Sequence, residues 1–177
     1  MTRTVPVSSI QNAGGLITGA LWNAGPAASN TFLTGVPALE VYQATLQSIP
    51  NATWTAISQD GTITDTDGQH SNSVNNSRFI CQVAGWYSAS GAVGFASNST
   101  GSRGAGIYKN GSPLTIASGA ITAASNTNHV AVAGEVFVTM NVGDYLELAG
   151  WQNSGGALNT ITTGQYTSYL YVRWDHG

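Results

Sequence analysis

Three carboxylates, Asp60, Asp65 and Asp67, fall in one polar stretch, DGTITDTDG. Carboxylate oxygens beside a glycine such as Gly68 can ligate calcium, which makes Asp65 and Asp67 the metal candidates of the chain. Their spacing is not that of a twelve-residue calcium loop and no Glu closes it. A turn built on Asp-Gly pairs is therefore expected, with no metal. His70, His129 and His176 are far apart and none has a Cys or His at zinc spacing. Ala89-Ser90-Gly91 and Asn153-Ser154-Gly155 offer a serine, but neither is a strained nucleophile elbow. Glu135 and Glu147 lie in strand-like stretches and could be sheet neighbours, the arrangement that glycoside cleavage would need; with Glu40 they are expected as surface positions instead. Trp151 with Gln152 and Asn153 could form a sugar-stacking platform. Cys81, the single cysteine, alternates with Phe79 and Val83 and is expected as a core thiol. These residues describe a chain that is not an enzyme and needs no cofactor.

The elements that must hold these residues are strands. Only 7% of the 177 residues are charged, the net charge is −3, and 22 residues are Gly. Thr, Ser and Asn replace charge as the solvent-facing set, which suits strands and tight turns and not a helical bundle. Five basic residues make no phosphate-binding stripe, so nucleic acid is excluded as a partner. No polybasic segment, secretory signal or apolar run of spanning length appears, so no membrane partner is expected. Low charge in a soluble chain also favours a surface buried against copies of itself.

Residues 39–177 read as one all-β domain of about eight to ten antiparallel strands, a sandwich or barrel. The stretches are 41–46, 53–57, 62–64, 78–83, 85–96, 104–108, about 117–123, 130–140, 145–152 and 167–174. Lys109-Asn110-Gly111-Ser112 marks a tight hairpin. Along 145–152, Tyr145, Glu147, Ala149 and Trp151 alternate with Leu146, Leu148 and Gly150. Residues 1–38 keep neither period and carry Pro6, Pro26 and Pro37. A short helical turn is expected between Leu16 and Asn23, capped by Thr18 or Asn12. Ile10, Leu16, Ile17, Leu21, Trp22, Phe32 and Leu33 make this arm too apolar for disorder. It either docks on another protein or folds back on its own domain.

The order of four short motifs resembles the tumour-necrosis-factor-like jelly roll, the fold of the complement globular head. The motifs are Gly85-Trp86-Tyr87, Lys109-Asn110-Gly111, Val142-Gly143-Asp144-Tyr145-Leu146-Glu147-Leu148 and Tyr169-Leu170-Tyr171-Val172. The resemblance spans about residues 40–175; the short polar end Asp175-His176-Gly177 departs from it. QSIPNATWTAI, DTDGQHS, RFICQVAGWY and WQNSGGALNT look like domains encoded among bacteriophage head and tail genes, and GGLITGALWNA followed by NTFL like the N-terminal segments of virion proteins. The resemblance implies a homotrimer with Tyr145 and Tyr169 or Tyr171 at the threefold contact. It also implies that the arm attaches the domain to a particle, with Leu16, Leu21, Trp22, Phe32 and Leu33 as docking residues on a major capsid or tail protein. The expected function is structural: a capsid decoration or minor capsid protein of a virion, made in the host bacterial cytoplasm. The alternative is a tail-associated protein binding a receptor or host surface glycan.

Overall fold

The computed structural model describes residues 5–7, 14–114 and 119–177. Ile10 and Asn12 of the arm, and residues 115–118 at the start of one expected strand, lie outside the described residues. Thirteen strands are found among those described: β1 (Ala38–Tyr42), β2 (Ser48–Ile49), β3 (Thr55–Ala56), β4 (Gly61–Asp65), β5 (Arg78–Ile80), β6 (Gly85–Phe95), β7 (Asn98–Lys109), β8 (Ser112–Pro113), β9 (Ala120–Ser125), β10 (His129–Met140), β11 (Tyr145–Gln152), β12 (Leu158–Asn159) and β13 (Tyr169–His176). The long β-branched or alternating stretches became β6, β10, β11 and β13. The count exceeds the expected eight to ten because two-residue pairings such as β2 with β12 carry no periodicity of their own.

Two antiparallel sheets form the body. The first runs β10-β6-β13-β1-β4; the second runs β3-β11-β7-β8, with β5 also on β11 and β9 also on β7. Period-two alternation sends one side of each strand inward. Leu39 and Val41 of β1, Tyr87 and Val93 of β6, and Leu170 and Val172 of β13 meet Ile107 of β7, Leu146 and Leu148 of β11, and Phe79. Cys81 is fully buried there, its thiol donating to the Val83 carbonyl at 3.1 Å. Burial raises the pKa of that thiol, as expected for a core cysteine. Gly94 is required where β6 passes Tyr166, since a Cβ would run into the Tyr166 carbonyl.

The arm is more ordered than its sequence suggests. Thr18 caps a helix, its Oγ1 accepting the Leu21 N–H at 3.3 Å. The run continues as α1 (Gly19–Trp22), a π-helical turn (Asn23–Ala27) and α2 (Ala28–Thr34). Gly25 and Pro26 look like a stop. Pro26 instead sits inside the π-helical turn, where the widened backbone accommodates a residue with no N–H to donate. Thr31 and Thr34 donate their hydroxyls to the carbonyls of Ala27 and Asn30, both at 2.9 Å.

Candidate functional site

The first sheet has an outer side unlike an ordinary solvent face. Because Leu170, Val172 and Trp174 point inward, Tyr169, Tyr171 and Arg173 of β13 point out. Register places Tyr171 beside Glu40 of β1 and Ser90 of β6, and Tyr169 beside Tyr42. Further along, Trp86 of β6 stacks on Phe137 of β10 with ring centroids 5.3 Å apart and planes 18° from parallel. His176 stacks on the same Trp86 at 5.9 Å. An apolar cleft of about 390 Å³ lies beside this stack, lined by Leu114, Val136 and Val138 among others. Tyr169, Trp86, Val132 and Phe137 are exposed large hydrophobics on one side of one sheet. A broad aromatic side with few charges has the composition of a protein contact surface.

Tyr145 does not join them. It stands on β11 of the second sheet, with the Arg78 guanidinium 4.0 Å from its ring centroid. The same Arg78 donates to Glu147 Oε1 at 3.3 Å, and Ser77 donates to that oxygen at 2.6 Å. Of the three tyrosines expected at a threefold contact, Tyr169 and Tyr171 therefore share the first sheet, while Tyr145 starts a strand of the other and packs against its own neighbour. Glu147 and Glu135 are likewise not neighbours, since Glu135 sits at the bulge of β10 in the first sheet. The carboxylate pair considered for glycoside cleavage is not assembled by these two residues.

The arm splits into two sets. Leu16, Trp22 and Leu33 keep 84%, 55% and 66% of their surface exposed, and Leu21 is half-buried. Phe32 is only 4% exposed and meets Trp174 edge-on at 4.7 Å. Phe32 is thus removed from the docking residues: it belongs to the core of its own domain and fastens α2 to β13. Gly177 also lies close to Val5, where a side chain at 177 would reach it.

The loop carboxylates are consumed by the backbone. Asp65 Oδ1 accepts the N–H groups of Asp67 and Gln69 at 3.3 and 2.9 Å, and Oδ2 accepts that of His70 at 3.1 Å. Asp67 Oδ2 accepts the Thr66 hydroxyl at 2.9 Å. Asp60 Oδ1 accepts the N–H groups of Ala44 and Thr45. Burial raises the Asp60 pKa, but the hydrogen bonds from Thr45 and Ala44 outweigh it and hold the carboxyl below its usual range. This is the Asp-turn structure expected of the stretch. His70 binds the carbonyls of Arg78 at 2.9 Å and Gln59 at 2.8 Å, tying the loop to β5. His129 meets the Thr122 hydroxyl at 2.6 Å, far from both other histidines in the fold.

The motifs at two turns meet each other. The Lys109 ammonium lies 2.9 Å from Asp144 Oδ2 and donates to the Thr139 carbonyl at 2.7 Å. Asn110 Nδ2 donates to Asp144 Oδ1 at 2.9 Å, and Asn110 Oδ1 accepts the Tyr145 N–H at 2.9 Å. Asn110 and Gly111 take the left-handed conformation that the tight hairpin needs. These residues therefore clamp the β7–β8 hairpin to the β10–β11 turn.

No protein-family model matches the chain, and no curated protein matches it in sequence. Solved structures do match in shape. The globular domain of zebrafish complement 1qA superposes with a TM-score of 0.50 at 13% identity, over 77% of this chain and 94% of that one. Murine APRIL gives 0.57 at 12%, over 77% and 98%. The vertex protein P5 of the phage PRD1 gives 0.53 at 16%, over 80% and 97%. The fold is a tumour-necrosis-factor-like jelly roll.

Within the jelly roll, the first and last strands of the body, β1 and β13, are neighbours inside the first sheet, and the arm leads into β1. Three features escaped the sequence. The Trp86–Phe137–His176 stack joins three strands that are distant in the chain. Arg103, only 1% exposed, gives its guanidinium to the carbonyls of Asn98, Thr100 and Ser102 at 2.8 to 3.0 Å. Trp54 lies across the second sheet against Tyr108 and Trp151. The small residues Gly104, Gly106 and Ala149 were its one available signal.

Proposed function

We propose that this jelly roll is a non-enzymatic structural protein of a bacteriophage particle: a homotrimeric capsid decoration or minor capsid protein whose N-terminal segment attaches it to the shell. One observation carries the reading. The helical segment Gly19–Thr34 is fastened to the jelly roll by Phe32, yet Leu16, Trp22 and Leu33 stand exposed on it and beside it. A segment anchored at one point with its other large apolar groups outward is arranged to bridge its own domain to a second surface. Two facts support it. A phage vertex protein shares the fold, and complement- and tumour-necrosis-factor-like neighbours are typically trimeric. The aromatic side of the first sheet is the surface such a trimer would bury. Attachment through three arms at once would add avidity to each single contact.

Cryo-electron microscopy of the particle that carries the chain tests this. The expected map has three jelly rolls around a threefold position of the shell, with residues 19–34 seated between shell subunits. A map with the chain at the tail tip, and that segment touching no other protein, overturns the decoration role.

A further inference from the structure

An aromatic cluster on the second sheet takes no part in the assembly reading. Trp54 precedes β3, and its ring packs between Tyr108 of β7 and Trp151 of β11. The ring centroids are 5.9 and 6.3 Å from it, with planes tilted by 42° and 33°. The strands below are reduced to make room. Trp151 pairs with Gly104 and Ala149 with Gly106, and a Cβ at Gly104 would stand 3.1 Å from the indole Cη2. Trp54 is thus set at a fixed height over the sheet while keeping 37% of its surface exposed. Three rings at this spacing and tilt make a shallow, rigid aromatic floor.

On the side of Asn51 and Asn153 the rim is polar and uncharged; on the other side Glu147 stands opposite Tyr108. Asn51 Oδ1 accepts the Gly155 N–H at 2.8 Å, and Asn153 Oδ1 accepts the Ser102 N–H at 2.5 Å. Both bonds fix which side of each amide is oxygen and leave the two Nδ2 donors for a ligand. The charges of this sheet are already committed: Arg78 to Glu147, and Arg103 to loop carbonyls. A formal charge on a ligand would therefore find no counter-charge here. A pyranose ring matches such a surface. Its C–H face, slightly positive, suits the negative face of an aromatic ring, and its hydroxyls accept from amides.

We infer that the Trp54–Tyr108–Trp151 surface is a binding site for a neutral oligosaccharide, with sugar rings stacked on the indoles and hydroxyls held by Asn51 and Asn153. The site is on the sheet opposite the proposed self-contact, so it stays open in an assembled trimer and does not depend on where in a particle the chain sits.

The test uses the full chain against immobilised neutral oligomers of glucose, mannose, galactose and N-acetylglucosamine. The best binder is then measured by titration calorimetry. At least one oligomer is expected to bind, with affinity reduced about tenfold or more by Trp151→Ala and by Trp54→Ala. Trp54 also stands over Gly104, so its loss acts on the sheet as well as on the site. Trp151→Ala is the deciding variant, provided its melting temperature and oligomeric state match the parent chain. No binding by any neutral oligomer at millimolar concentration overturns the inference. So does binding that survives Trp151→Ala, or binding confined to sulfated or sialylated sugars. None of these outcomes alters the expected particle map, so the two readings fail separately.

Discussion

Asp144 is the residue on which two of the recurring motifs converge. The Asn141 backbone N–H, the Asn110 amide and the Lys109 ammonium hold its carboxyl at a pKa of about 2, against an ordinary 3.8. A depressed carboxyl pKa adds stability that is complete above the unfolded value and is lost as pH falls through the folded one. The contribution should therefore be full above about pH 4 and drain away between about pH 4 and 2, amounting to about 1–2 kcal/mol after allowance for solvent screening. Asp144→Asn should lower stability by that amount at pH 7 and flatten the acid limb of a denaturation-versus-pH curve. An unchanged limb would mean that the clamp contributes nothing. Arg103 gives the harsher case. Arg103→Met removes three charge-assisted hydrogen bonds to loop carbonyls, which should cost about 2–4 kcal/mol in a urea titration. The first of these residues was legible as part of a Lys-Asn-Gly and Gly-Asp pattern. The second was not, because a buried arginine bonded only to carbonyls near in the chain leaves no partner charge to find.

At the scale of elements, strands with strong alternation were readable and contacts between distant strands were not. Tyr145–Gln152 alternates so cleanly that its inward and outward sides follow from the residues alone. Nothing local said that β11 belongs to a different sheet from β13, which is why Tyr145 was grouped with Tyr169 and Tyr171. The helical segment failed for a different reason. Gly25 and Pro26 are breakers in isolation, and tertiary packing, with Gly25 buried and Phe32 against Trp174, holds the run to the domain across them. This predicts how the segment comes off. A chain starting at Gly35 keeps β1, which begins at Ala38, and keeps the Pro37 carbonyl that accepts the Trp174 N–H at 2.8 Å. It loses Phe32 and exposes Trp174. It should retain a β-type circular dichroism spectrum but unfold about 2–4 kcal/mol more easily, and should no longer attach to particles. Phe32→Ala in the full chain should lose most of that stability by itself. If the shortened chain does not fold at all, the segment is part of the domain core and its role as an attachment arm is lost.

For the whole molecule, the decisive fact is that the two sheets present different outer sides. The second sheet carries the paired Arg78 and Glu147 and a Trp set over Gly104, so its charges are matched within the chain. The first sheet carries Tyr42, Tyr169, Tyr171, Trp86 and Phe137 around the small residues Ser88 and Ser90, with Glu40, Arg173 and, at the β10 bulge, Glu135 as its nearby charges. In a chain with only 7% charged residues, the aromatic side is the surface that the proposed self-association would cover. Ser90 lies near the centre of that side, between Tyr171 and the β10 bulge. Ser90→Arg places a charge where each contact of a closed ring would bury it. Glu135 at that bulge gives the guanidinium a partner, yet burying even a paired charge costs on the order of 1–4 kcal/mol against an apolar contact, and in a symmetric trimer the cost recurs at every interface. The parent chain should sediment at roughly three times its 18.2 kDa, and Ser90→Arg at the monomer mass with its β spectrum unchanged. Tyr145→Gln, on the other sheet, should leave the trimer intact. A Ser90→Arg protein that still sediments as a trimer would move the contact off the first sheet, and the aromatic side would then have to be assigned to a different partner.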